Sequence, residues 1–205
     1  IDYEMPDGSR ALYFNRLDFV AFDLFMLQRP GAIDDYAPEE IAAAKAKMDT
    51  MDPATRERIF RNCLLGLPGS DDAFTPEQVL TELKKYEGID AAKLKEHLFY
   101  FLQQVIPVAE ESGMVMAIHP DDPPYPVLGL PRIMSTEQDA ADMVEAIPSD
   151  ACGFCFCTGS FGARADNQSV PMLRRFADRV HFLHLRNTKR DAAGNFFEDD
   201  HLAGD

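Results

Sequence analysis

The chain has 205 residues, 46% of them hydrophobic, enough for one sizeable domain with a real core. Its 20 basic and 35 acidic residues give a net charge of −15, which disfavours the polyanions nucleic acid and acidic membrane as partners. Asp23 and Gln103-Gln104 break the longest apolar runs, so no segment is expected to span a bilayer, and no secretory signal pattern stands out.

Three of the four cysteines, Cys152, Cys155 and Cys157, crowd into one short stretch, with Cys63 apart. A disulfide framework is not distributed in that way, so a reduced, cytoplasmic protein is expected. The chain opens on Ile1 and closes in a loop-like segment, and reads as an interior piece of a larger protein or as the ordered part of one.

Residues 1–16 are polar and turn-rich, with a good turn at Pro6-Asp7-Gly8. The apolar run 18–27 suits a strand or a short helix, and periodicity does not decide between them. A helix is predicted over 38–51, with Pro38 early and Glu39 and Glu40 in its first turn. Asp52 caps the next, which carries Ile59, Cys63 and Leu64 on one face and should stop at Gly66 before a Gly/Asp loop over 67–74. Thr75-Pro-Glu-Gln78 is a capping box for a helix to Glu87, ended by Gly88. Asp90 caps a longer one to Ser112, which Pro107 should kink or split.

From Met114 the rhythm becomes strand, loop, helix. A strand over 114–119 runs into a stiff loop with four prolines over 120–126. Ser135 and Gln138 form a capping box for a helix to Ile147. Strand 153–157, a glycine turn, a helix over 169–179 and strand 180–186 follow, then a polar tail. This alternation means an α/β fold with a parallel sheet. The helices between 38 and 112 exceed one crossover and read as a helical insertion within a single domain, 1–205, placed where they could cover a site.

Side chains alternate faces along a strand. Val115, Ala117 and His119 share a face; so do Gly153, Cys155 and Cys157; so do Val180, Phe182, His184 and Arg186. Each set turns polar at the carboxyl end, where α/β folds place their chemistry. His119, Cys157, His184 and Arg186 should therefore aim at one point. Two imidazoles and a thiolate suit a borderline divalent ion such as Mn²⁺, Fe²⁺ or Zn²⁺, with Asp121 or Asp122 available as a fourth ligand. Each residue also has a plainer reading: a satisfied strand-end histidine, a small buried thiol, a surface ion pair for Arg186. His201, among Glu198, Asp199 and Asp200, reads most simply as a solvated loop histidine, and His97 receives no role.

Four ordered blocks carry a family resemblance: Ala117-Ile-His-Pro-Asp-Asp-Pro-Pro through Gly129-Leu-Pro-Arg-Ile-Met-Ser, Cys157-Thr-Gly-Ser-Phe-Gly-Ala-Arg, His184-Leu-Arg-Asn-Thr-Lys-Arg, and Asp200-His-Leu-Ala-Gly-Asp. Together they closely resemble D-mannonate dehydratase of the metal-dependent bacterial type. The resemblance implies a xylose-isomerase-like (β/α)8 TIM barrel, of which this chain would hold a partial set of βα units. It implies a lyase that dehydrates D-mannonate to 2-keto-3-deoxy-D-gluconate in hexuronate (glucuronate) catabolism, with Mn²⁺ or Fe²⁺. The family's metal ligands fall on His119, Cys157 and His184. Its fourth ligand, an aspartate in a later Arg-Pro-Asp-His-Gly-His block, and a tyrosine beyond it have no counterpart in these residues.

For such a reaction Arg186 is the candidate second positive contact and His201 the local acid or base. Ser160 and Asn187 are candidates for binding substrate hydroxyls. The expected partner is a small sugar acid, and the expected assembly a homo-oligomer, a dimer. Two other readings stay open: a sugar isomerase or epimerase on the same barrel, and a non-catalytic metal-binding remnant. The first usually relies on Glu and Asp ligands. The second usually closes its metal with four Cys or His.

Overall fold

A computed structural model describes residues 2–5, 7–64 and 74–201. Pro6 of the expected turn, the helix stop at Gly66, residues 67–73 of the Gly/Asp loop and residues 202–205 lie outside the described residues. The chain forms two compact units: one is Ile1–Gly88, Val127–Leu130 and Asp191–Phe197; the other is Ile89–Pro126, Pro131–Arg190 and Glu198–Asp205. No helix among the described residues is long and apolar enough to cross a membrane.

The first unit opens with strands β1 (Asp2–Glu4) and β2 (Arg10–Phe14), antiparallel around a turn in which Gly8 takes φ +83°. β2 also pairs with the start of β7 (Phe196–Glu198), where Phe14 stacks on Phe196 at 5.3 Å. The stretch expected to be merely turn-rich is thus half of a small sheet, because its partner strand lies far along the chain. The 18–27 run is helical: α1 (Arg16–Ala21), capped by the Asn15 side chain, runs on into a π-helical turn, Phe22–Leu27. Phe22 and Leu27 pack with Ile59 and Leu64. Helix α2 (Pro38–Thr50) begins at the expected proline, and α3 (Pro53–Leu64) and α4 (Pro76–Lys84) begin where their caps predict. Asp52 Oδ1 accepts the Ala54 and Thr55 amides, and Thr75 and Gln78 form both bonds of the box. α4 ends before Glu87, and turns carry the chain on to Gly88.

The π-helical turn buries a charge. Asp23 is fully buried, and the Arg29 guanidinium donates to both its oxygens, with Tyr36 Oη donating at 2.7 Å. Arg29 also pairs with Asp35 at 2.5 Å. Burial and the hydrogen bond to Asp23 raise the Tyr36 phenol above its ordinary value. A Cβ on Gly129 (φ +72°) would come within 2.7 Å of Arg29 Nη1, so the turn at Val127–Leu130 fits against this cluster only as glycine.

The second unit is built around three parallel strands in the order β3-β4-β5: Met116–Ile118, Cys152–Cys157 and Val180–His184. The central strand is buried at every residue, as expected for a parallel strand covered on both faces. Phe154 and Phe156 enter a core with Leu102 and Ile106 of α5 (Ala91–Glu111), Met143 of α6 (Glu137–Ala146), and Met172 of α8 (Ser169–Arg175). Burying each phenylalanine is worth roughly 1.5–3 kcal/mol.

Several details differ from the sequence expectations. Pro107 does not split α5, which runs on as one helix with Leu102, Ile106 and Ala109 buried, at the loss of a single hydrogen bond. Thr136, not Ser135, caps α6, because Asp139 accepts from the Thr136 and Ser135 amides and from the Thr136 hydroxyl. The glycine turn after β4 is a short helix, α7 (Thr158–Gly162), capped by the Cys157 sulfur. The polar tail contains β6 (Thr188–Arg190) as well as β7.

The face assignment on β5 also changes. A bulge sets Phe154 opposite Val180 but Cys155 opposite Phe182, so Val180 leaves the Phe182–His184 face and joins the core. The extra residue, His181, lies under Gly153, where a Cβ would stand 2.0 Å from the Arg179 carbonyl oxygen.

Replacing Arg29 by leucine would leave Asp23 buried and uncompensated. The expected loss is about 3–5 kcal/mol, read as a lower urea midpoint with an unchanged slope.

Candidate metal centre

The three parallel strands end in the three residues that matter most. Cys157 closes β4 and lies directly opposite His184, which closes β5. His119 follows β3 by one residue. With Ile118 opposite Phe154, it falls about two residues short of the Cys157 level, and its longer side chain spans that gap. One donor atom from each of His119, Cys157 and His184 lies within 4.8 Å of the others. The thiol is buried and the imidazoles are partly exposed, so one side of the centre is open to solvent.

The ring atoms are already selected. His119 Nδ1 lies 2.7 Å from the Pro120 carbonyl oxygen, which can only accept, so Nδ1 carries the proton. Neutral His119 then presents the Nε2 lone pair, 3.3 Å from His184 Nδ1. A backbone carbonyl that sets the tautomer in this way is characteristic of ligating histidines.

The thiol is prepared as well. Burial by itself would raise Cys157, but hydrogen bonds with His119 and Ser160 and the nearby Arg186 charge outweigh it and bring the thiol down to about 7. The same contact with Cys157 raises His119, against the effect of its partial burial. Cys152 and Cys155 shift the other way, upward, chiefly through burial. Cys157 is thus the cysteine of β4 that is ready to act as a thiolate.

Around the sulfur, Ser160 donates its amide and its hydroxyl at 3.3 Å each, and Arg186 Nη1 stands 3.9 Å away. Arg186 pairs with Asp122 at 2.6 Å and with Glu198 at 2.7 Å. Gly159 admits this arrangement, since a Cβ there would meet Arg186 Cβ at 2.7 Å. Thr158 Oγ1 accepts the Arg186 amide at 3.0 Å.

The two aspartates of the proline loop part company. Asp121 Oδ2 accepts the Ile133 and Met134 amides and the Ser135 hydroxyl, which ties the loop down. Asp122 accepts from Ser160 and Arg186 beside the sulfur. Neither joins the mutually close donor set among the described residues. The Asn187 side chain donates to the Asp200 carbonyl, and His201 Nε2 faces the Leu185 carbonyl at 3.2 Å. The contributions of Glu198 and Thr158 carried no signal in the sequence: one lies twelve residues after Arg186, the other is an ordinary threonine after a strand.

A family model described as "D-mannonate dehydratase (UxuA)" matches residues 1–205. A curated relative from Marinomonas sp. named mannonate dehydratase is 48% identical over 206 residues, covering 100% of this chain and 53% of its own. One of the same name from Saccharophagus degradans is 42% identical over 205 residues, covering 100% and 52%. The chain spans about half the length of these relatives. A crystal structure of mannonate dehydratase from Streptococcus suis serotype 2 is 37% identical with a TM-score of 0.55, covering 57% of this chain and 34% of that one.

Binding of a divalent ion here would compete with protons at Cys157 and at the raised His119. Both groups lose their proton as pH rises, so affinity should climb with pH through about 7. Competition against a chromophoric chelator between about pH 6 and 8 would read that slope; a flat profile would separate the two residues from the metal.

Proposed function

The chain belongs to the D-mannonate dehydratase family, and we propose that its protein removes water from D-mannonate to give 2-keto-3-deoxy-D-gluconate in hexuronate catabolism. The observation that carries this is the convergence of His119, Cys157 and His184 at the ends of three parallel strands. Two imidazoles with a low-pKa thiol fit Mn²⁺ or Fe²⁺, the metals we assign to the site. A metal bound there would supply positive charge beside the substrate carboxylate and 2-hydroxyl.

The reaction takes a proton from C2 and expels hydroxide from C3, so negative charge grows near the carboxylate. Arg186 is the proposed second positive contact, held in place by Asp122 and Glu198. His201 is the proposed local acid or base: its Nε2–H faces the Leu185 carbonyl, which leaves Nδ1 with the lone pair of the neutral ring. Asn187 and Ser160 follow the ligand positions and are the proposed hydroxyl contacts, with the Ser160 oxygen held between Asp122 and Cys157.

We read β3, β4 and β5 as consecutive strands of a (β/α)8 TIM barrel of the xylose-isomerase-like type. Parallel strands are normally covered on both faces. Yet Val115, just before β3, and Phe182 and Leu183 on β5 are exposed here, as strands of a larger sheet would be when seen without their neighbours. The same reading takes 1–205 as one partial barrel domain with 38–112 as a helical insertion. The four free cysteines support a reducing, cytoplasmic setting. The −15 charge argues against a polyanion as partner, and the small sugar acid rests on the family reading. A dimer is the assembly we propose.

The direct test is incubation of the intact protein with Mn²⁺ and D-mannonate under anaerobic conditions. Product should form, vanish with a chelator and return with Mn²⁺. No product from folded, metal-loaded protein would overturn the assignment. Cys157→Ser should lower metal content and turnover together; unchanged metal content would remove Cys157 from the ligand set.

A further inference from the structure

We propose that Asp122 is a positioning residue that governs how strongly the Cys157 sulfur is hydrogen-bonded, and thereby how much charge that sulfur can give a metal. The inference rests on the reading of Cys157 as a ligand and extends it to a residue that would not itself ligate.

The argument is a count of donors and acceptors. Ser160 is 1% exposed, and its hydroxyl has one proton to give. Two acceptors stand within reach of it: Asp122 Oδ2 at 3.1 Å and Cys157 Sγ at 3.3 Å. Arg186 Nη1 faces the same pair, 2.6 Å from the carboxylate and 3.9 Å from the sulfur. It also stands 3.4 Å from the Ser160 oxygen. The carboxylate is the shorter and harder acceptor for both donors. Asp122 therefore competes with the sulfur for two side-chain donors, and the sulfur keeps a share of the Ser160 hydroxyl beside the Ser160 amide, fixed by the start of α7, as its standing partner. A sulfur with fewer hydrogen bonds is the better electron donor, and such outer contacts commonly change metal affinity by about 10- to 100-fold.

Asp122 is well held for this role. Glu198 anchors the other side of the Arg186 guanidinium through Nε at 2.7 Å. Asp121, the neighbouring acid, is committed to the Ile133 and Met134 amides and does not compete. Removing the Asp122 charge should let Ser160 and Arg186 turn to the sulfur, the other acceptor that both of them face.

The test uses the intact protein loaded with Co²⁺, whose thiolate-to-metal charge-transfer band reports sulfur donation. In Asp122→Asn the band should move to higher energy and Co²⁺ affinity should fall about tenfold. In Ser160→Ala, which takes a donor from the sulfur, the band should move to lower energy. The double variant should fall between them. A merely structural role would not shift the band in opposite directions. A parent band that moves in neither variant would overturn the inference and leave the ligand assignment standing. A loss in Asp122→Asn well beyond 100-fold, with altered d–d absorption, would also overturn it, because Asp122 would then be a ligand. Absence of a sulfur band in the parent protein would overturn the Cys157 assignment, and this inference with it. Should Asp122→Asn fail to fold, Ser160→Ala alone decides: an unmoved band there refutes the proposal.

Discussion

The register of β4 against its two neighbours is the constraint on which the second unit depends. β4 has a parallel strand on each side; its phenylalanines and Cys152 enter the helical core, and Cys155 and Cys157 face the other way. With Cys157 opposite His184, β4 and β5 end level, and with Ile118 opposite Phe154 the His119 side chain reaches up from about two residues below. A slip of one residue would exchange the faces of β4, putting Cys157 into the core and Phe156 at the centre. Gly153 helps hold this register, because the Arg179 carbonyl and the His181 ring leave no room there for a side chain.

The centre is prepared by backbone as much as by side chains. The Pro120 carbonyl chooses the His119 tautomer, and the first turn of α7 supplies an amide to the Cys157 sulfur. Such groups are fixed by the fold before any ligand arrives, so little rearrangement is needed on binding. The polar loop after His119 splits its acids between two tasks. Asp121 stabilises the loop by accepting two amides, while Asp122 stands in the ring of groups around the sulfur.

The first unit follows a different economy. Its core is small and its most constrained element is the Asp23–Arg29–Tyr36 cluster on a π-helical turn. A buried carboxylate is tolerated there because both oxygens are satisfied and a guanidinium cancels the charge. Arg29 and Asp35, six residues apart, then meet the Gly129 turn from a distant part of the chain. Asp23 first appears only as the one acid that interrupts an apolar run.

Local chemistry determined much of this protein from sequence alone. Asp52, Thr75 and Asp90 start helices where they stand, because capping depends on a few neighbouring atoms. The period-two pattern put His119, Cys157 and His184 at equivalent strand ends, since side-chain direction in a strand is a property of the backbone itself. Family membership too was legible in the four spaced blocks. Tertiary structure decided what depends on distant partners. The β2–β7 pairing joins residues more than 180 positions apart, and the β5 bulge that sends Val180 into the core follows from packing. The ties of Arg186 to Asp122 and Glu198, and the donors shared around Cys157, form only when separate strands and loops are brought together.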